Sequence, residues 1–337
     1  MQECRPGFTD AEPAGTGDYE PAPGIASSKS EPAKSASFLA GAAWALFAIS
    51  IWSGWFVSTR FNVSTDLTAY DLVALRFGVA ALILVPVTIR LRGGLGLLRW
   101  RTALALFAGS GIVYSICVTG GVTFAPAAEG AALTPGVMPM ATALLSVLVL
   151  KDRLTKSQLA GLCFISAGVV AIAGAGLFAG AHRAWIGHIL FVTGAFLFAG
   201  YTIALRRSGL SGMQATALVS TWSCVLYLPV YIFALHPRVL EVPALSLVFP
   251  AFYQGVLTNV ISLVAYARAV SALGPARASP FAALIPAVTA LLGMFFLGER
   301  PASADWAGIA CVSAGVYLAS GAPLRWFSNA LHKFRQN

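Results

Sequence analysis

The sequence predicts an all-α integral membrane protein with ten transmembrane helices in two inverted five-helix repeats. Three observations carry the prediction. Charged residues are only 10% of the 337 and the mean hydropathy is +0.77. A soluble domain carries about 25% charge, so this chain has too little polar surface to coat a globule in water. The second half also repeats the first. At a shift of 147 positions, the separation of Pro139 from Pro286, Thr142-Ala143-Leu144-Leu145 falls on Thr289-Ala290-Leu291-Leu292. Arg153 falls on Arg300, Ala160-Gly161 on Ala307-Gly308, and Ser166-Ala167-Gly168-Val169 on Ser313-Ala314-Gly315-Val316. Finally, most Lys and Arg sit in short loops between apolar runs, which is the pattern of membrane topology.

A bilayer core needs about 20 apolar residues per helix. Suitable runs begin near Phe38, Asp71, Thr102, Ala127 and Gln158, then near Trp185, Met213, Leu247, Ala278 and Ala304. The first five form one repeat over 38–174 and the last five a second over 185–322. The loops between them leave no room for an inserted water-soluble domain. Residues 1–36 are rich in Pro, Ala, Gly, Ser and Glu and lack the basic start and apolar middle of a signal peptide. They read as a disordered cytoplasmic tail, and 323–337 as a short basic cytoplasmic tail.

Direction follows from charge. With the N-terminus inside, Arg90, Arg92, Arg99, Arg101, Lys151, Arg153 and Lys156 fall on the inner side. So do Arg206, Arg207, Arg268, Arg277, Arg325, Lys333 and Arg335, while Arg60, Arg183, Arg238 and Arg300 fall outside. The bias is the positive-inside rule, and it places both termini in the cytoplasm. Five is odd, so the second repeat enters from the opposite face. Inverted repeats of this kind can exchange conformations and swap an inward-open cavity for an outward-open one. The net charge of +9 could suit nucleic acid, but its loop placement argues against that partner. The expected partners are a small-molecule substrate and the lipid bilayer, with a homodimer left open. The five cysteines show no zinc or disulfide spacing, and neither metal nor cofactor is expected.

One segment runs Leu284-Ile285-Pro286, Ala290-Leu291-Leu292, Gly298-Glu299-Arg300, Trp306-Ala307-Gly308 and Gly315-Val316. A weaker version surrounds Pro139, Lys151-Asp152-Arg153, Gly161 and Gly168. Together with Trp52, Arg60, Asp71 and Arg76, these residues resemble the EamA-type branch of the drug/metabolite transporter superfamily, over about 38–321. Lys151-Asp152 departs from the Gly-Glu usual there. The resemblance implies a secondary transporter that exports a metabolite, amino acid or drug-like solute, and the Ala- and Gly-rich usage with few Lys suggests the inner (plasma) membrane of a bacterium. The resemblance does not specify the substrate.

Polar groups inside a membrane are costly and mark function. The eighth run carries Gln254, Thr258, Ser262 and Tyr266 at four-residue spacing, nearly one helical face. At a shift of 147 the last three fall on Gly111, Ser115 and Thr119 of the third run. Two readings stand: the walls of a shared cavity, or interhelical hydrogen bonds worth about 0.6–2 kcal/mol each. Trp52, Trp55, Tyr114, Tyr201 and Tyr253 are aromatic candidates, and Trp55 aligns with Tyr201 at a shift of 146. Aromatic faces would hold an apolar or cationic substrate, and helix packing explains any one of them equally well. Pro139 and Pro286 lie mid-span as hinge candidates, freeing the carbonyls of Pro135 and Ala282 for a substrate or for a plain kink. Glu129 and Arg76 have similar depth, so Glu129 is either locked to Arg76 or free to carry a proton. Arg268 and Arg277 serve anionic substrates or only the charge bias. His188 has no carboxylate in sequence reach.

The rival class is an integral membrane enzyme acting on a lipid head group. No HExxH-like or GxSxG-like segment supports it, so no catalytic residue is expected. The tails offer no signalling domain for a receptor, and no GxxxxGK[ST] segment exists for an ATP-driven pump.

Overall fold

The computed structural model describes residues 31–91, 98–151, 153–178, 183–235 and 237–320, apart from the side chains of 31–37, 150, 175–178 and 275–276. The described chain is helical throughout. α1 is Glu31–Ser64 and α2 is Ala69–Arg90. α3 is broken at Gly111 into Trp100–Ser110 and Ile112–Phe124, and α4 at 134–137 into Ala127–Leu133 and Met138–Leu150. α5 is Lys156–Phe178, α6 Ala184–Ser208 and α7 Gly212–Ala234. α8 joins Ala244–Ala251, a π-helical stretch Phe252–Ile261, and Ser262–Leu273. α9 joins the 3₁₀ stretch Ser279–Leu284 to Ile285–Leu297, and α10 is Ser303–Ala319. Among the described residues nine helices are long and apolar enough to cross a membrane. α10 is a further apolar helix of 17 residues.

All the helix starts but the first lie within three residues of those read from hydropathy. α1 begins at Glu31, inside the segment expected to be a tail. Residues 1–30 and the expected tail at 323–337 lie outside the described residues. Local chemistry sets two of the other starts. Thr68 caps α2 in a reciprocal box with Asp71, and Ser211 caps α7 with Gln214, so orphan amide donors are satisfied at both starts. α4 and α9 end alike, on the left-handed residues Lys151 (φ 58°) and Gly298 (φ 65°), 147 positions apart. Glycine takes that conformation freely, whereas a side chain is strained in it. Lys151 is thus a departure with a conformational cost.

The packing is symmetric under exchange of halves. α5 packs on α10 and α2 on α7, while α1 meets α8 and α9 as α6 meets α3 and α4. The α5–α10 crossing is the tightest expression of this. A Cβ on Gly161 would strike the carbonyl of Gly315, and one on Gly168 the carbonyl of Gly308. Small residues let membrane helices approach backbone to backbone. Since Gly161 aligns with Gly308 and Gly168 with Gly315, the two contacts are one contact seen from either half. The main core lies between these pairs, around Phe56, Val118, Phe191 and Ile165.

Candidate functional site

A cavity of about 350 Å³ sits in the middle of the bundle. α1 contributes Trp52 and Trp55, α2 Arg76 and α3 Ser110 with Tyr114. α4 gives Met138 and Pro139, α6 Phe198 and Tyr201, and α7 Thr216 and Ser220. α8 closes the far side with Thr258, Asn259 and Ser262. A ring chain runs along one wall, with Tyr114 to Phe198 at 5.5 Å and Phe198 to Tyr201 at 5.1 Å between centroids. Trp52 and Trp55 form the opposite aromatic wall. Phe198 escaped the sequence reading, although it aligns with Trp52 at the same 146-residue shift that pairs Trp55 with Tyr201.

The polar stripe of α8 is divided by the structure. Thr258 and Ser262 line the cavity, whereas Gln254 and Tyr266 do not reach it. The π-helical stretch Phe252–Ile261 displaces Gln254, whereas Tyr266 lies in the α-helical part beyond it. The backbone bonds of the π-helical stretch span five residues, as from the Ser262 amide to the Leu257 carbonyl. Two side chains keep the same span, Thr258 Oγ1 to the Tyr253 carbonyl at 2.8 Å and Asn259 Nδ2 to the Gln254 carbonyl at 3.1 Å. A widened turn no longer stacks residues four apart. Asn259 joins Thr258 on the cavity wall, and Gln254 turns toward α1. There its amide accepts from Trp55 Nε1 at 2.6 Å and donates to Thr59 Oγ1 at 3.0 Å. Ser262 accepts from Trp52 Nε1 at 3.0 Å, and Tyr266 packs on the Trp52 ring at 5.2 Å. Gln254 and Tyr266 therefore hold the two tryptophans in place. π-Helical turns are frequent at functional sites.

Ser115 and Thr119 are buried and do not line the cavity. The break at Gly111 re-aims α3, so Ser110 and Tyr114 face the cavity instead. Pro139 and Pro286 each fall in the first turn of the second half of a broken helix. There proline's missing N–H removes no intrahelical bond, so neither is a mid-helix kink. Pro135 and Ala282, four residues upstream, both line the cavity. The Ala282 carbonyl accepts from the Ile285 amide.

The expected Glu129–Arg76 pair does not form. Glu129 Oε2 lies 2.5 Å from His188 Nε2, both buried. Sequence distance hid this partnership, since α4 and α6 meet only in the fold. Arg76 instead faces the cavity, its guanidinium carbon 5.6 Å from the Trp55 ring centroid. Asp71 is fully buried and structural. It accepts from Thr68 on α2, from the Tyr231 hydroxyl, and from the amides of Arg238 and Val239. Arg268 stacks over Trp44 at 4.7 Å, remote from the cavity.

The ends of the bundle differ. At the end holding the start of α4, Arg60 donates to the Val122 carbonyl at 2.5 Å and lies 3.7 Å from Glu299 Oε1. Glu299 also accepts from the Ala127 amide at 3.2 Å. Burial pushes the Glu299 carboxyl up, opposed by that amide and by Arg60. At the other end a second cavity of about 580 Å³ shares Met138, Pro139 and Phe198 with the first and reaches Arg153, Gln158 and Arg206. Among the described residues no group of three His, Cys, Asp or Glu could hold a metal ion.

Against known proteins, the EamA-like transporter family matches residues 39–174 and again 185–321. The chain belongs to the EamA-like transporter family. It is a multi-pass membrane protein and a membrane transporter. It is 27% identical over 290 residues to a probable terminal-alkyne amino-acid exporter of Streptantibioticus cattleyicolor, covering 83% of this chain and 93% of that one. It is 25% identical over 251 residues to the uncharacterized transporter YetK of Bacillus subtilis, covering 72% and 76%. A protein of known crystal structure aligns over 85% of this chain and 96% of its own with a TM-score of 0.53 at 20% identity, a likeness that shows the fold alone.

Proposed function

We propose that this transporter exports a small amphipathic solute across the inner membrane by alternating access, with ten spans in two inverted repeats and both termini cytoplasmic. The observation that carries the reading is a central cavity that shares the walls Met138, Pro139 and Phe198 with a second cavity at one end, while Arg60–Glu299 and Glu129–His188 contacts tie the helices together at the other. Such a route delivers a solute from one side to the middle of the membrane and no further. The swapped glycine contacts of α5 and α10 support inversion, because equivalent helices that meet in exchanged register run antiparallel. By the positive-inside bias the second cavity, near Arg153 and Arg206, faces the cytoplasm.

Substrate contacts are assigned to Trp55, Tyr114, Tyr201, Thr258 and Ser262. Gln254 and Tyr266 position the tryptophans, and Ser115 and Thr119 belong to the helix packing. The exporter in Streptantibioticus makes amino acids with an apolar side chain the first solutes to try. The experiment is counterflow of labelled L-phenylalanine, L-leucine and L-propargylglycine in proteoliposomes. Saturable exchange of at least one, abolished by Thr258→Trp, is expected. Equal flux with and without protein for all three would remove this substrate class, and unchanged flux in Thr258→Trp would remove the cavity as the route.

A further inference from the structure

The structure assigns the central cavity to a solute bearing a carboxylate, whose charge is met by Arg76. This rests on the reading of the cavity as the transport site and adds the sign of the ligand's charge. Arg76 is the only charged residue among the described residues that line the cavity. Its Nε is buried without a hydrogen-bond partner. Its close electrostatic neighbours are the Trp55 ring and the Tyr114 phenol, neither a carboxylate, and an aromatic face attracts the cation only weakly compared with one. A guanidinium kept in a low-dielectric interior wants a counter-charge.

No described carboxylate supplies one. Asp71 is consumed by the α2 cap, Tyr231 and two amides. Glu129 is bound to His188, and Glu299 to Arg60 and the Ala127 amide. Asp305 accepts from the Ala302 amide at the start of α10, while Asp66 and Glu241 are exposed. Each buried acid of the described bundle is engaged by a partner other than Arg76, Glu299 through its Oε1 alone, and the one charged side chain among the described lining residues is Arg76. Arginine's planar fork matches a carboxylate in two parallel hydrogen bonds. The tryptophan and tyrosine walls around it take the apolar body. A cationic solute, which the aromatic residues alone would admit, is repelled by Arg76.

The test uses three probes with one apolar body and heads of different charge: 4-phenylbutyrate, 4-phenylbutanamide and 4-phenylbutylamine. Binding to the purified full chain in detergent is followed by tryptophan fluorescence, since Trp52 and Trp55 face the site. In the unaltered protein the carboxylate is expected to bind at least about tenfold tighter than the amide, and the amine most weakly, as charge-assisted bonding at a desolvated site requires. Arg76→Gln should bring carboxylate and amide within about twofold of each other by removing that bond. Arg76→Lys, which keeps the charge without the fork, should retain a reduced preference. If Arg76→Gln does not fold, the ranking of the three heads on the unaltered protein and on Arg76→Lys still decides. Equal binding of carboxylate and amide, preference for the amine, or an unchanged preference in Arg76→Gln would each overturn the inference. Saturable amide or amine binding that is lost in Thr258→Trp would sink the anion and keep the cavity as transport site. No saturable signal from any probe would overturn the inference, and the counterflow experiment would judge the cavity separately.

Discussion

At one end of the bundle Arg60 is tied to the Val122 carbonyl and to Glu299, and Thr289 is fully buried with its hydroxyl 3.4 Å from the Ser53 carbonyl. At the other end the counterparts of the same residues, Arg206 and Thr142, line an open cavity of about 580 Å³. Thr142 and Thr289 are the same residue type at a shift of 147, and Arg60 and Arg206 at a shift of 146. Amino-acid identity therefore does not decide which end is open. The difference lies in how each half packs on its partner: Ser53 of α1 donates to the carbonyl of Ile285, a residue of the cavity wall, at 3.3 Å. The alternating access proposed above asks such matching ends to exchange packings. Interfaces of this kind are bistable rather than continuously deformable.

The largest expected effect tests that contrast directly. In a cysteine-free background, Thr142→Cys should react with N-ethylmaleimide at least about tenfold faster than Thr289→Cys, because a protected site reacts only through opening. Equal rates would break the comparison between the ends. A second, smaller effect concerns what holds the closed end. Glu129→Gln disturbs the buried contact with His188 and should cost roughly 1–3 kcal/mol, read as a lowered melting temperature together with faster labelling of Thr289→Cys. Transport by Glu129→Gln that keeps its normal pH dependence would make Glu129 a structural partner and remove it as a proton carrier.

The smallest effect is in pH. Burial holds the Glu299 carboxyl above its ordinary value, so the folded protein binds that proton more readily than the unfolded chain. The resulting stability is fully present below the unfolded value and is lost as pH rises through the raised one. Melting temperature should therefore slope downward across that window, and Glu299→Gln should flatten the slope. A slope identical in the variant would show that the closed end does not feel Glu299 ionise.

The helices were legible because hydropathy is a local property. Runs starting at Asp71, Thr102 and Ala127 needed only their own residues to be recognised. The cavity was legible in part. Trp55, Tyr114, Tyr201, Thr258 and Ser262 carry the bulk or polarity that stands out in an apolar run, and all five line it. Phe198 and Asn259 did not stand out, one because phenylalanine is ordinary in a membrane, the other because it lies off the four-residue period. Gln254 stood out and went elsewhere, since the period assumed an α-helix where the backbone bonds five residues apart. The Glu129–His188 bond joins residues 59 apart, and a single sequence offers no local cue for such a pair.

By itself the sequence determined a hydrophobic helical chain, its doubling at a shift of 147, and the asymmetry of its basic loops, because each depends on composition or on identity between positions. Tertiary structure alone decided which ionisable groups meet. Coulombic pairing and desolvation act across space, so Glu129 went to His188, Glu299 to Arg60, and Arg76 was left facing the cavity with no carboxylate among the described side chains to meet it.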